Sequence, residues 1–368
     1  MNEYLEELHH EIEQEQNIED ESDGEEVSPS RYDITSYGID FDVEGVVRRV
    51  QKGDIYIPDF QRKFVWKMTE SSRFIESLLL GLPVPGIFLA QDPESGKMLV
   101  IDGQQRLLTL KFFFDGYFNP KEDAAIKRVF KLSKVQEPYI DKTYETLNGK
   151  DRTNLGNCVI HSTVVKQDSP ADDDTSIYHI FERLNSGGKK LAAQEIRIAV
   201  YHGHFLELLK TMNSNPAWRR IFGPENDRMR DQELILRFLA MLEGSQNYKK
   251  PMVDFLNKFL RRNRNPGTDE LKRYHDIFVD TINAFHEALG HKIFRPARAL
   301  NVAFFEASMV GLARRIASNV EIEQAKIKEA YDRLNDNLKF KELISQSTTD
   351  ISNVSERLEI ATTIFMEV

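Results

Sequence analysis

Cysteine is almost missing from this chain. The one residue among 368, Cys158, excludes an internal disulfide and fits a reducing compartment. It falls in the strand-like run 157–165 and reads as a buried structural thiol. No apolar run approaches the roughly 20 residues of a membrane span, so no membrane partner is expected. No GxxxxGK[ST] occurs, which argues against a P-loop nucleotidase. Zinc-finger, RNP and helix-turn-helix signatures are missing too. Lys and Arg are absent from residues 1–30, which hold 12 acidic residues. That segment reads as a disordered acidic tail, not a signal peptide. A sharper alternative is a nucleic-acid mimic, and Tyr4, Leu5, Leu8 and Ile12 fall at the helical spacing of a docking face. The net charge is −10, yet the remainder balances 49 basic against 47 acidic residues. A cytoplasmic protein is the resulting expectation.

What is present concentrates at residues 100–110, Val-Ile-Asp-Gly-Gln-Gln-Arg-Leu-Leu-Thr-Leu. An apolar strand (98–101) meets a polar turn, Asp102 to Arg106, and an apolar helix (107–114) follows. Helix starts carry unpaired N–H groups and the positive end of the helix dipole, so they attract phosphate. Arg106 adds a planar fork suited to phosphate oxygens. The plain alternative is a helix capped by Asp102 with Gly103 as a turn.

Two further segments bear on that choice. In Ile57-Pro58-Asp59-Phe60-Gln61-Arg62-Lys63-Phe64-Val65-Trp66, Pro58 favours an extended entry, and Gln61 and Arg62 sit between aromatics. In residues 180–201 a helix ends at Asn185-Ser186-Gly187-Gly188, and another carrying Gln194, Glu195 and Arg197 starts near Leu191. Read alone, this second segment is an ordinary helix corner with Gln194 and Glu195 as caps.

Together, "IPDFQRKFVW" (57–66), "VIDGQQRLLTL" (100–110) and "IFERLNSGGKKLAAQEIRIAVY" (180–201) resemble the N-terminal domain family of GmrSD-type modification-dependent restriction enzymes. The resemblance runs over residues 38–205 and more loosely through "FRPARALNVAFFEASMVGLARRI" (294–316). It implies a core similar to ParB and sulfiredoxin-like folds, where a Gly-x-x-Arg turn binds nucleotide phosphates. Carried over, that role falls on Gly103, Gln104, Gln105 and Arg106, with Asp102, Gln105 and Arg106 in catalysis. Gln61 and Arg62 would line the same pocket, and Asn185, Gln194 and Arg197 would close it. Asp102 or Glu195 would hold Mg²⁺. Relatives often add a His-Asn-His nuclease, whose chemistry needs a His base and metal ligands. The late histidines here (His202, His204, His275, His286, His291) are irregularly spaced and read as surface or packed residues. Cleavage is then expected from a partner nuclease, or from this domain itself.

Periodicity gives an α+β fold class: a ParB/sulfiredoxin-like domain over 31–175, then a mostly helical domain over 176–368. Helices are expected at 41–52, 70–80, 176–184, 191–212, 231–243, 251–262, 269–289, 300–318 and 321–345. Strands are expected at 55–57, 87–91, 98–101, 129–132 and 159–165, and Lys-rich 121–155 reads as an irregular insertion. The densest basic run, Arg261-Arg262-Asn263-Arg264, ends a helix and is a candidate DNA-phosphate contact. A nucleotide-hydrolysing defence protein that engages DNA, a metal-dependent DNA endonuclease and a non-enzymatic binding module all stay open, as does a homo-oligomer.

Overall fold

The computed structural model describes residues 33–57, 64–92, 95–120, 127–169, 175–184, 192–296, 298–318 and 322–368. The acidic segment 1–30, Gln61, Arg62 and Asn185 lie outside the described residues. Residues 31–200 and 201–368 form two compact units.

The first unit is built on a mixed five-stranded sheet in the order β1-β5-β3-β4-β2. Its strands are β1 (Asp33–Asp42), β2 (Ile55–Tyr56), β3 (Ile87–Gln91), β4 (Met98–Asp102) and β5 (Val159–Ser169). β1 runs antiparallel to β5, and β5 is parallel to β3. β3 is antiparallel to β4, and β4 is parallel to β2.

Helix α1 (Val43–Lys52) starts two residues later than periodicity suggests. Phe41 and Asp42 complete β1, a strand with no apolar alternation clear enough to read from sequence. The Asp42 carboxylate accepts the Gly45 N–H, and Gly53 closes the helix in the left-handed region at φ +76°. Val43, Val46 and Val47 are buried against the sheet, each worth about 1.5–3 kcal/mol of transfer energy. Helices α2 (Met68–Leu79), α3 (Gln104–Asp115) and α4 (Gly149–Asn157) cover the same face.

Residues 127–148 are irregular, as expected, but packed: Phe130, Leu132, Val135 and Leu147 are core residues, as is Leu155 on α4. The expected strand at 129–132 reduces to one isolated bridge, Tyr117 with Val129. Cys158 caps the end of α4, one residue before β5. Its thiol donates to the Leu78 carbonyl at 3.2 Å, and burial pushes its pKa up. Helices α5 (Thr175–Leu184) and α6 (Ala193–Val200) fall in this unit, and α5 packs on β4 and β5.

The second unit is helical: α7 (His204–Asn213), α8 (Pro216–Phe222), α9 (Arg230–Gly244), α10 (Met252–Arg262), α11 (Thr268–Leu289), α12 (Val302–Ile316), α13 (Gln324–Asp336), α14 (Leu338–Leu343) and α15 (Ile351–Met366). The helix expected over 191–212 is two, broken before His204. A Cβ on Gly203 would lie 2.4 Å from the Arg264 carbonyl oxygen, so the end of α10 presses on this joint. The helix expected over 321–345 also divides, at Asn337, whose side chain accepts the Phe340 N–H to start α14.

Tyr331 on α13 stacks on Phe304 with centroids 5.2 Å apart, and its hydroxyl oxygen accepts the Phe294 N–H at 2.7 Å. Burial pushes its pKa up to about 12 from 10.0. Folding therefore favours the neutral phenol. That contribution is complete below the unfolded value and is lost as pH rises toward the folded one. The rise from 10.0 to about 12 corresponds to about 2–3 kcal/mol. Tyr331→Phe should flatten the loss of urea resistance between roughly pH 9 and pH 12 by that amount. Equal losses in both proteins would contradict it.

Candidate functional site

The turn between β4 and α3 is set by one glycine. Gly103 has φ +99°, and a Cβ there would lie 2.4 Å from Ile87 Cγ2. Only glycine meets both demands without strain. Gly103 is also the N-cap of α3 and offers no side chain of its own to cap the helix. The first-turn N–H groups, from Gln104 onward, have no intrahelical acceptor and sit at the positive end of the dipole. Asp102 does not cap this helix. Its Oδ2 instead accepts from Arg106 Nη2 at 2.7 Å, and the same nitrogen donates to the Gly86 carbonyl at 2.9 Å. Arg106 Nε is buried and makes no hydrogen bond. The guanidinium is thus fixed beside the helix start by one of its three nitrogens.

A bulge aims Asp102. Leu89 pairs with Val100, but the next residue, Phe88, pairs with Asp102. Ile101 is the extra residue of β4. Uninterrupted alternation would put Asp102 on the face of Val100, which is fully buried in the core. The bulge moves it to the face of Phe88, where its side chain is 47% exposed. Arg106 engages Oδ2.

Gln105 turns the other way. Its Oε1 accepts the Val65 N–H at 3.0 Å and the Trp66 N–H at 3.3 Å. It ties α3 to the end of the 57–66 segment, and its carbonyl oxygen is thereby committed. Gln194, Glu195 and Arg197 open α6 and are all buried. Glu195 accepts the Ala192 N–H, closing the helix start, and Arg197 Nη1 donates to Gln194 Oε1 at 3.3 Å. The structure therefore joins Asp102, Gly103 and Arg106 around one point, and directs Gln105 and Glu195 to backbone. Among the described residues, no group of three or more His, Cys, Asp or Glu is placed to hold a metal. Mg²⁺ usually takes one or two carboxylates plus substrate phosphates, which Asp102 fits.

Gly86, in the Pro83–Gly86 break, received no role from sequence reasoning, yet its carbonyl orients Arg106. Arg261, Arg262 and Arg264 belong to the second unit. Arg264 Nε donates to the His202 carbonyl at 2.8 Å, a bond that fixes the end of α10 to the start of α7. Arg262 is exposed.

The first unit is therefore a mixed α+β domain whose strand–turn–helix junction presents a glycine-capped helix start beside a fixed arginine. Residues 43–202 match the family of the GmrSD restriction endonuclease, N-terminal domain. Over these residues the chain is similar to that domain. An uncharacterized protein of Methanocaldococcus jannaschii is 30% identical over 118 residues, 26% of this chain and 18% of that relative. The chain thus spans less than a fifth of that relative's length. No helix among the described residues is long and apolar enough to cross a membrane.

Proposed function

We propose that this chain is a nucleotide-dependent component of an anti-phage restriction system. Its 102–106 turn works in the manner of ParB-like Gly-x-x-Arg turns and binds the phosphates of a nucleoside triphosphate. The observation that supports this is the pairing of Gly103, which opens a 12-residue helix, with Arg106 held at its side. Backbone N–H groups receive phosphate oxygens, and Arg106 stabilises the charge that grows on them during hydrolysis. Asp102 would hold Mg²⁺, which neutralises phosphate charge when bound. Nucleotide state would control DNA engagement or a partner nuclease. Arg262, exposed and flanked by Arg261 and Arg264, is the proposed contact to the DNA backbone.

The test is phosphate release from each nucleoside triphosphate, with Mg²⁺, with and without DNA. Arg106→Ala is expected to lower turnover by roughly 10²–10³-fold, the scale of removing one transition-state donor. Wild-type turnover in that variant, or no turnover in the natural chain, would sink the reading. DNA nicking that needs Mg²⁺ and Asp102 would show instead that the domain is the endonuclease.

A further inference from the structure

A second pair of polar side chains stands at the same end of the sheet as the Asp102 turn. We propose that Asp40 and His161 form a proton-accepting dyad for the water that attacks a phosphate held by Arg106. The inference rests on the phosphate-site reading above.

The strand register places the pair. Asp102 lies opposite Phe88, Phe88 beside Thr163, and Thr163 opposite Gly38. Two residues further toward the same sheet end, His161 lies opposite Asp40. Paired residues share a face, and so do residues two apart in a strand. Asp102, Phe88, Thr163, His161 and Asp40 therefore share one face.

Gly86 links the two sites. Its carbonyl accepts from Arg106 at 2.9 Å, and a Cβ on it would lie 2.7 Å from the His161 carbonyl oxygen. The guanidinium thus sits one residue away from the main chain of His161. β4 and β5 are two strand spacings apart, about 10 Å. Phe88 and Thr163 lie between Asp102 and His161 on this face. Gly38 and Gly86 contribute no side chain to the surface between.

His161 Nδ1 is 2.7 Å from Asp40 Oδ1. A neutral imidazole that donates its Nδ1–H to this carboxylate carries its lone pair on Nε2. The side chains are 72% and 61% exposed, open to water and substrate. In the step itself, the water oxygen bonds to phosphorus and one water proton passes to Nε2. The bond from phosphorus to the leaving phosphate oxygen breaks, and that oxygen keeps the electron pair beside Arg106. Asp40 balances the imidazolium until its proton returns to solvent. A base oriented by a carboxylate is a recurring solution to this problem.

The experiment uses the full chain and compares Arg106→Ala, His161→Ala and Asp40→Asn in nucleotide turnover. His161→Ala should lower kcat about 100-fold, within the range for a positioned base, with KM nearly unchanged. Added imidazole should restore part of the rate, because the site is exposed. Asp40→Asn should give an intermediate loss and a displaced pH profile. Full turnover in His161→Ala, with turnover lost in Arg106→Ala, would overturn the dyad and leave the phosphate site standing. Loss in His161→Ala through a raised KM without imidazole rescue would also overturn it. Turnover unaffected by Arg106→Ala would overturn the phosphate site itself.

Discussion

Gly103→Ala is expected to lower the stability of the first unit by about 2–5 kcal/mol. A left-handed φ costs a non-glycine residue roughly 1–3 kcal/mol. Overpacking adds about as much, because the new methyl would overlap the buried Ile87 side chain. Turnover should fall with it, since relief of the clash means moving β3 away from the turn. Gly86, which precedes β3, supplies the carbonyl that orients Arg106. Gly53→Ala is the comparison. Gly53 also has a positive φ, but a Cβ there meets nothing within 4 Å. It should lose only the conformational part, with turnover intact. Urea midpoints and phosphate release on the three proteins decide the matter. Similar losses for both glycines would show that Ile87 yields freely and that the turn is not rigid.

The second large effect lies in the helical unit. Glu306 on α12 is 3.1 Å from Arg237 Nε on α9 and 2.7 Å from Arg357 Nη2 on α15. All three side chains are nearly inaccessible, and Arg357 also donates to the Thr348 carbonyl. Glu306→Ala would strand two buried guanidinium groups without their carboxylate. Breaking such a network costs about 3–5 kcal/mol. Replacing all three by apolar residues of similar volume should recover most of that loss, because desolvation offsets the Coulomb gain of the intact triad. A urea midpoint for Glu306→Ala close to that of the natural chain would contradict this account. Apolar triple variants that stay as unstable as Glu306→Ala would show that the triad selects the packing of these helices.

Some of the fold was legible because its causes are local. The 87–91 and 98–101 hairpin is bounded by turn residues, and helices 231–243, 251–262 and 269–289 carry clear apolar periodicity. In each case the observed element begins and ends within a residue of the expected one. The Gly103 turn was legible for the same reason, since its strand, turn and helix are contiguous. Elements shaped by distant partners were not. β1 gains its order by pairing with β5, and 127–155 is fixed by burial of five scattered apolar residues. Gly203 breaks a helix because Arg264, 61 positions later, presses against it.

The sequence by itself determined that a strand, a glycine turn and a helix follow one another around Asp102 to Arg106, because the signals for all three are local and contiguous. It also carried the three segments that resemble that domain. The tertiary structure alone decided where those side chains point. A single extra residue, Ile101, flips Asp102 out of the core face. Gln105 serves the backbone of residues 65 and 66 through contacts that no local pattern announces. His161 meets Asp40 across 121 residues of chain. Register across a sheet is a non-local property, since one residue of slip exchanges the two faces.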